Sequence, residues 1–554
     1  MKKYLFILAA AGIALPAGAQ SIIGATDAFQ VSQQDMKGTA RFMSMAGAFG
    51  ALGGDLSVLS QNPGGIGIYR NSDIGFTLDL DCQHSNAKSL NASVNQDKTH
   101  FYLNNIGYVG SFRLPSKVMP NINFGFTFNK SVSFNRSYRG VVPKLDTSLS
   151  NYIAGINNSE DITAADLTTT DSYDPYNPTD GGYISPWISI LGYDARLVTP
   201  EGSDDYPHWV GQYGQGTSGS GYFSVEEKGS VDEYNISFGG NIANVLFWGM
   251  DFGIIDMNYT SRTIWGEMLD NAYIPDNNDN LIRGKADWSL YNYHNLNATG
   301  FNYKLGFILR PIQQLRLGFA FHTPTWYSLD QTFYGDIAYN YPGSGIRPES
   351  ATAMTNDGYD GYNTCNFRTP WKIIASAAGV IGSNFILSFD YEWTGYNGMH
   401  YSDGNRYDDW DWNWYTAAYN SDPYLNTNNS IKAYYKAMNT VRIGAEYRPI
   451  KQFSIRAGYA HSSSPVTKEA RDSQEVIYTS GTRPQFTFDN STDYITCGLG
   501  FRSGGFYMDA AYVYKHRSSE YHAFAQDPGS PIQSPKAKIS TDNSQVVLTM
   551  GFKF

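Results

Sequence analysis

The sequence predicts an all-β protein: a transmembrane antiparallel β-barrel of about fourteen strands with an N-terminal hatch (plug) inside its lumen. Three observations predict it. The chain opens like an exported protein, its last strand has one wholly apolar face, and its connections alternate strictly between short and long.

The first residues, MKKYLFILAAAGIALPAGAQ, read as a secretory signal peptide over residues 1–19. Lys2 and Lys3 give the charged start, Tyr4 to Leu15 the apolar run, and Ala17-Gly18-Ala19 the small-residue cleavage site. Pro16 breaks the run well short of the ~20 residues a spanning helix needs. No Cys follows the cleavage site, so the mature chain is expected to begin at Gln20 without a lipid anchor. The whole chain is rich in Tyr (42), Phe (31) and Gly (55), with only 16% charged residues, and its aromatic content favours strands. A net charge of −11 argues against a nucleic-acid partner. Cys82, Cys365 and Cys497 lie far apart and fit no metal spacing.

Residues 20–71 lack strand alternation and are expected to form the hatch, leaving 72–554 for the barrel with long extracellular loops. The stretch GALGGDLSVLSQNPGGIGIYR (50–70) is as glycine-rich as a phosphate-binding loop, but it lacks the Gly-Lys-Ser/Thr of one. Small residues surround Phe42, Met43, Met45, Phe49 and Leu52, too few large side chains for a separate core. Short helices and turns packed in the periplasmic end of a lumen fit that composition. Asn62, Pro63, Gly64 and Gly65 are the candidate gating residues, the glycines turning the backbone tightly and Pro63 stiffening the bend. Phe42, Met45, Phe49 and Leu52 are the candidates for ligand contact.

Period-two alternation then recurs. Ile74, Phe76, Leu78 and Leu80 oppose Asp73, Gly75, Thr77 and Asp79, and Ile122, Phe124, Phe126 and Phe128 oppose Asn123, Gly125, Thr127 and Asn129. The final SQVVLTMGFKF places Val546, Leu548, Met550, Phe552 and Phe554 on one face. A spanning sheet must close, because lipid pairs no backbone group. Closure would leave Arg316, Arg442, Glu446 and Arg456 as lumen charges; a soluble barrel would turn the same faces the other way. The connections favour the membrane. Short ones at 114–121, 241–244, 310–314, 381–384, 448–452 and 502–505 alternate with long polar stretches near 83–103, 130–231, 258–295, 327–369, 397–438, 463–491 and 517–542. Short periplasmic turns and long extracellular loops are the outer-membrane pattern.

The loops carry little chemistry. YSDGNRYDDWDWNWY (401–415), with Trp410, Trp412 and Trp414, reads as a solvated aromatic loop near the lipopolysaccharide interface. DNNDNLIRGKAD (276–287) starts like a calcium loop but lacks Gly at the sixth position and Glu at the twelfth. No HExxH or GxSxG occurs, and His322 and His461 read as rim or lumen residues. No catalytic residue, metal or cofactor is expected, and the chain is not expected to be an enzyme.

GTARFMSMAGAFGALGGDLSVLSQNPGGIGIYR (38–70), placed between a signal peptide and a strand, resembles the start of the long-chain fatty acid transporter (FadL/TodX-type) family. Asn62-Pro63-Gly64-Gly65 is similar to that family's N-P-A-G element, with Gly64 where Ala is usual. The blocks at 369–393 and 439–465 resemble members from the Bacteroidetes lineage. The resemblance implies a monomeric fourteen-stranded barrel with a luminal hatch, in the outer membrane of a Gram-negative bacterium. It implies passive uptake of hydrophobic small molecules, fatty acid-like or aromatic, with release sideways through a gap at a kinked strand. The third strand is the candidate for that gap. Implied partners are the apolar ligand, outer-membrane lipid and lipopolysaccharide, and the barrel assembly machinery, which reads an aromatic C-terminus. The loops are longer and more polar than a fatty acid groove suggests. A general diffusion porin, or a surface-interaction barrel such as a haemin-binding receptor, is the alternative.

Overall fold

The computed structural model describes residues 23–177, 185–203, 206–382, 384–403, 424–473, 481–528 and 530–554. The signal peptide and the tryptophans 410, 412 and 414 lie outside the described residues. The sheet closes on itself as fourteen antiparallel staves, the number read from the alternating connections. In chain order they are β1 (Asp73–Ser89), β2 (Ala92–Arg113), β3 (Asn121–Ser133, continued by Arg136–Val142), β4 (Ser218–Ile242), β5 (Leu246–Pro275), β6 (Leu281–Ile312) and β7 (Leu315–His322, then Trp326–Asn340). They continue with β8 (Gly361–Arg368, then Lys372–Ile381), β9 (Phe385–Gly395, then His400–Asp403), β10 (Ala437–Ile450), β11 (Phe453–Ser462), β12 (Phe486–Ser503), β13 (Phe506–His522) and β14 (Lys536–Lys553). The seam is β1 on β14, in register from Asp73↔Lys553 to Lys88↔Lys538.

The faces resolve the choice between a soluble and a membrane barrel. Ile74, Phe126, Ile254, Phe307, Phe389 and Leu499 all point outward and are exposed, and equivalent side chains continue this belt around the wall. Soluble monomers rarely expose a continuous apolar surface of this kind. The charged alternates face inward: Arg456 is 2% and Glu446 0% exposed. No helix among the described residues is long and apolar enough to cross a membrane.

Several stretches expected as loops are strand. Residues 83–103 are the upper halves of β1 and β2, joined at Leu90 and Asn91, and most of 258–295 belongs to β5 and β6. β6 alone has 32 residues. At ~3.3 Å per residue it is roughly 100 Å long, whereas crossing a bilayer takes about 9–11 residues. The staves therefore continue far beyond the apolar belt. Outside lipid the outer face is polar as well, so alternation fades and the sequence reads as loop. The long connection after β3 also has structure, with helices Leu149–Ser159 and Trp187–Asp194 and a hairpin of Val198–Ser203 with Tyr206–Gly211. Leu149, Ile153, Trp187 and Leu191 join Trp265 and Trp288 of the wall in one apolar core at the loop end.

Candidate functional site: a luminal hatch between two cavities

The N-terminal segment contains three short helices, α1 (Ala25–Val31), α2 (Ala40–Met43) and α3 (Val58–Gln61), then a 3-10 helix, Pro63–Ile68. It does not sit only at the periplasmic end, as expected, but runs the length of the lumen. At the loop end Ile23 O accepts from Thr427 Oγ1 at 3.1 Å and Ser32 O from the Tyr396 hydroxyl at 3.1 Å. Midway, Asp35 accepts from Lys515 Nζ at 2.8 Å, and Lys37 donates to Asp79 of β1 at 2.6 Å. At the turn end Tyr69 O accepts from Asn121 Nδ2 at 2.8 Å, and β1 follows. Because the segment has too few large side chains for its own core, the wall completes one. Phe42, Met43, Phe49 and Val58 pack with the wall residues Ala378, Ala460, Ala511 and Val513.

Close approach explains most of the glycines. Gly239, Gly249 and Gly306 lie directly opposite one another across β4, β5 and β6, all on the inner face. A Cβ on Gly249 would stand 2.1 Å from Pro63 O, and one on Gly306 would stand 2.0 Å from Asn62 Oδ1. On the far wall Gly444 and Gly458 pair across β10 and β11, and a Cβ there would meet Met45 at 2.6 and 2.4 Å. Hatch backbone thus lies directly on wall backbone. Gly64 belongs to this set, whereas Gly65 packs on the hatch's own Gly53 and Val58; both also lie in a tight turn, closed by Gly65 N donating to Asn62 O at 2.9 Å. Neither has a positive φ; the left-handed positions nearby are Ala46, Gly47, Gly53 and Gly54, at φ 51, 73, 63 and 68°. A Cβ on Gly64 would meet Phe307 N at 2.8 Å, and one on Gly65 would meet Val58 Cγ1 at 2.9 Å. Asn62 caps the 3-10 helix by accepting from Gly64 N at 3.0 Å, while its Nδ2 donates to Gly50 O at 2.5 Å and reaches Phe307 O at 3.3 Å. Pro63 takes the first helical position, where a missing N–H costs nothing.

The four lumen charges fall into three places. Glu446 is a buried hub that accepts from Arg456 Nε at 2.6 Å, Arg448 Nη2 at 2.5 Å and hatch Arg41 Nε at 3.2 Å. Arg456 also donates to Asp509 at 2.6 Å. Arg442 is elsewhere, donating to Glu392 at 2.9 Å. Arg316 stands apart and holds Leu52 O at 2.7 Å. Glu446 and Asp509 together offset two of the three guanidinium charges, Arg448 being the most exposed of the three, and Arg41 makes the hatch part of that network.

Two cavities flank this plug. The upper one, of about 250 Å³, is lined by Phe29, Met36 and Phe42 of the hatch and by Val132, Ile255 and Tyr327 of the wall. Lys304, Lys372, Glu392 and Arg442 add charge at its side. The lower one, of about 440 Å³, opens among the short turns and takes in Leu52. Of the four ligand-contact candidates, Phe42 lines the upper cavity and Leu52 the lower, while Met45 and Phe49 are fully buried between them. Phe49 packs against Phe42 with ring centroids 5.8 Å apart.

Beside the upper cavity the wall parts. β2 and β3 pair only from Arg113↔Asn121 to Asn105↔Asn129. Above that point β3 turns into the lumen, where Arg136 donates to Ser519 at 2.9 Å, while β2 runs on beside β1. The β1–β2 register shifts here, between Thr77 and Leu78, leaving Asn104 unmatched; its Nδ2 donates to Asp79 at 3.0 Å. Tyr102 stands in the parting. Its hydroxyl accepts from Ser133 at 3.0 Å and Asn135 at 2.8 Å, and Lys37 lies 5.0 Å from its ring. Lys37, Asp79, Tyr102 and Asn104 were not among the sequence candidates. The available signal was Lys37, which with Arg41 supplies the cations of the hatch's small-residue stretch, and Asp79 on the inner face of β1.

The remaining candidates are otherwise engaged. His322 is buried against Gln61 O at 2.8 Å, and His461 bonds Asp493 at 2.8 Å nearer the outer surface. In the calcium-like loop Asp276 Oδ1 accepts from the backbone of Asn278 and Asn280 at 2.7 and 3.0 Å. No group of three or more potential metal ligands occurs among the described residues.

A closed fourteen-stranded barrel, apolar outside and filled by its own N-terminal segment, is a hatch-plugged barrel of the outer-membrane type. The fold is FadL-like: the chain is similar to a solved Pseudomonas aeruginosa FadL homologue at a TM-score of 0.51 and 11% identity, over 94% of this chain and 99% of that one. It also matches the P. putida toluene transporter TodX (TM-score 0.46, 11% identity, 94% and 99% coverage) and the CymD monoaromatic hydrocarbon channel (0.45, 10%, 94% and 99%). No protein-family model and no curated protein matches the sequence.

Proposed function

We propose that the protein is a channel for passive uptake of hydrophobic small molecules, fatty acid-like or aromatic, across the outer membrane of a Gram-negative cell. The observation that carries this reading is the upper cavity. It is lined by apolar hatch and wall side chains on one part and by charged ones such as Lys304, Glu392 and Arg442 on the other, is stopped below by the hatch, and adjoins a place where β2 and β3 no longer pair. An apolar solute gains nothing from a water-filled pore, but a pocket with apolar side chains next to lipid offers it a lower-energy path, and the charged side can meet a polar head. Asn62, Pro63, Gly64 and Gly65 act in this scheme as the gating end of the hatch, and the parting at β3 is the lateral exit. The barrel works as a monomer in contact with outer-membrane lipid and lipopolysaccharide, after insertion by the barrel assembly machinery. A diffusion porin fits less well, because the hatch lies backbone to backbone against the wall. Mass spectrometry of the purified barrel, combined with planar-bilayer recording, tests the reading. A retained apolar ligand and low ionic conductance are expected; steady large conductance with no retained ligand supports the porin.

A further inference from the structure

One row of side chains on the outer wall has no part in the uptake of apolar solutes. His461 of β11, Asp493 of β12, His516 of β13, Asp542 of β14, His84 of β1 and Asp97 of β2 stand directly opposite one another, each on the next stave. Histidine and aspartate alternate along it, across the seam of the barrel. The row faces outward, in line with the exposed Tyr512, Val546, Leu80 and Phe101 four residues below it on β13, β14, β1 and β2. From Ile74, at the turn end of the belt, to His84 the strand climbs ~33 Å, which at a tilt of about 40° is roughly 25 Å of height, the thickness of an outer-membrane barrel's apolar band. The row therefore lies where lipid tails give way to headgroups. Each imidazole is fixed by a carboxylate: Nδ1 of His461 donates to Asp493 at 2.8 Å, that of His516 to Asp542 at 2.7 Å and that of His84 to Asp97 at 2.7 Å. Tyr459 and Tyr514 donate to Asp493 and Asp542 at 2.8 and 2.6 Å. Holding Nδ1 leaves Nε2 as the free edge of each ring, and all three rings are partly exposed. The row above holds only serine and asparagine, and the row below adds Tyr459, Tyr514 and Cys82 as its titratable groups. Val441 of β10 stands beyond His461, and charge returns only two rows up, with Lys88, Lys538 and Glu520.

While the imidazoles are neutral the row carries three carboxylates and repels phosphate; once they are protonated every carboxylate is matched, and three Nε2–H donors face the headgroups. We propose that this row binds the phosphate groups of anionic outer-leaflet lipids, and binds them more tightly when His84, His461 and His516 are protonated. A lipid is the occupant because the row continues, on the same faces of the same staves, the apolar belt that meets lipid tails. Its role rests on the placement of the barrel in the outer membrane and stands whether or not the barrel carries apolar solutes. Asp97 ends the row on β2, the stave that borders the parting, so lipids held here flank one side of it.

Spin-label electron resonance of the full-length protein in phosphatidylcholine bilayers tests this, with spin-labelled phosphatidylglycerol and phosphatidylcholine as probes. Phosphatidylglycerol keeps one negative charge throughout, so a change with pH comes from the protein. Between about pH 8 and about pH 5, where histidine gains its charge, the preference of the wall for phosphatidylglycerol is expected to rise about two- to fivefold, the worth of exposed charge pairs. His84→Gln, His461→Gln and His516→Gln combined are expected to abolish the rise. No rise in the unaltered protein, or the full rise retained in the combined variant, overturns the proposal. So does a preference that is greater at about pH 8 and lost on adding a chelator, because the carboxylates then hold phosphate through divalent cations. Bilayers in which the protein restricts no lipid overturn the membrane placement and the row's role with it, whereas restricted lipid without preference overturns the row alone. Should the variant form no barrel, nitrogen-15 resonance of the histidines in the unaltered protein at about pH 5 decides it: Nε2 signals of the row that shift when phosphatidylglycerol replaces phosphatidylcholine support the site, and signals that stay in place overturn it.

Discussion

Gly249→Ala is a single added methyl group that separates hatch seating from barrel formation. Its Cβ would stand 2.1 Å from Pro63 O, a backbone atom that cannot rotate away. The neighbouring inner-face glycines on β4 and β6 are themselves pressed by the hatch, so the wall has nowhere to go. The Pro63–Ile68 helix must therefore withdraw by about 1 Å to restore normal contact. Overpacking of this kind costs about 1–3 kcal/mol, which raises the population with an unseated hatch roughly 5- to 150-fold. The strand ladder itself is unaffected. Gly379→Ala is the matched control, since a Cβ on that β8 glycine meets nothing within 4 Å. Limited proteolysis of the hatch and planar-bilayer conductance provide the readout, with heat-modifiable migration on gels reporting the barrel. Gly249→Ala should show faster hatch cleavage and more frequent openings with the barrel intact, and Gly379→Ala neither. Equal behaviour of the two variants, or loss of the barrel in Gly249→Ala, refutes the reasoning.

Three further outcomes are expected. Glu446→Gln leaves Arg41 and Arg448 without their carboxylate and Arg456 with Asp509 alone; removing one partner of a buried ion network costs about 3–5 kcal/mol, visible as a lower temperature for barrel unfolding on gels. Lys37→Met leaves Asp79 buried and uncompensated, so hatch proteolysis should accelerate; adding Asp79→Asn should restore most of the loss. Tyr102→Ala empties the parting between β2 and β3 while leaving the hatch–wall glycine contacts in place, so entry of a bulky apolar probe should rise without a rise in ionic conductance. Unchanged entry removes the parting from the route.

The barrel was legible because lipid imposes a strict rule on sequence. Wherever a stave crosses the belt, as in Ile74 to Leu80 or Leu315 to Phe321, side chains alternate between apolar and polar or small residues, and the short turns punctuate them. The upper staves were not legible for the complementary reason: β5 and β6 leave lipid and keep their hydrogen bonds while losing the apolar face that marks a strand. The hatch was readable as a segment unable to make a core, but its placement was not. Lys37–Asp79 and Arg41–Glu446 join residues 42 and 405 positions apart, and nothing local announces such pairs. The glycines illustrate both sides. Crowding at 50–67 signalled tightly turned backbone, yet only the facing glycines of the wall show that Gly64 also serves close approach.

The central claim is selective passage of apolar solutes past a seated hatch. The most direct measurement compares initial entry rates of a radiolabelled alkanoic acid and of a sugar of similar mass into cells with and without the protein. The account predicts that the protein accelerates the alkanoic acid and leaves the sugar unchanged. Acceleration of the sugar with no effect on the alkanoic acid would contradict it.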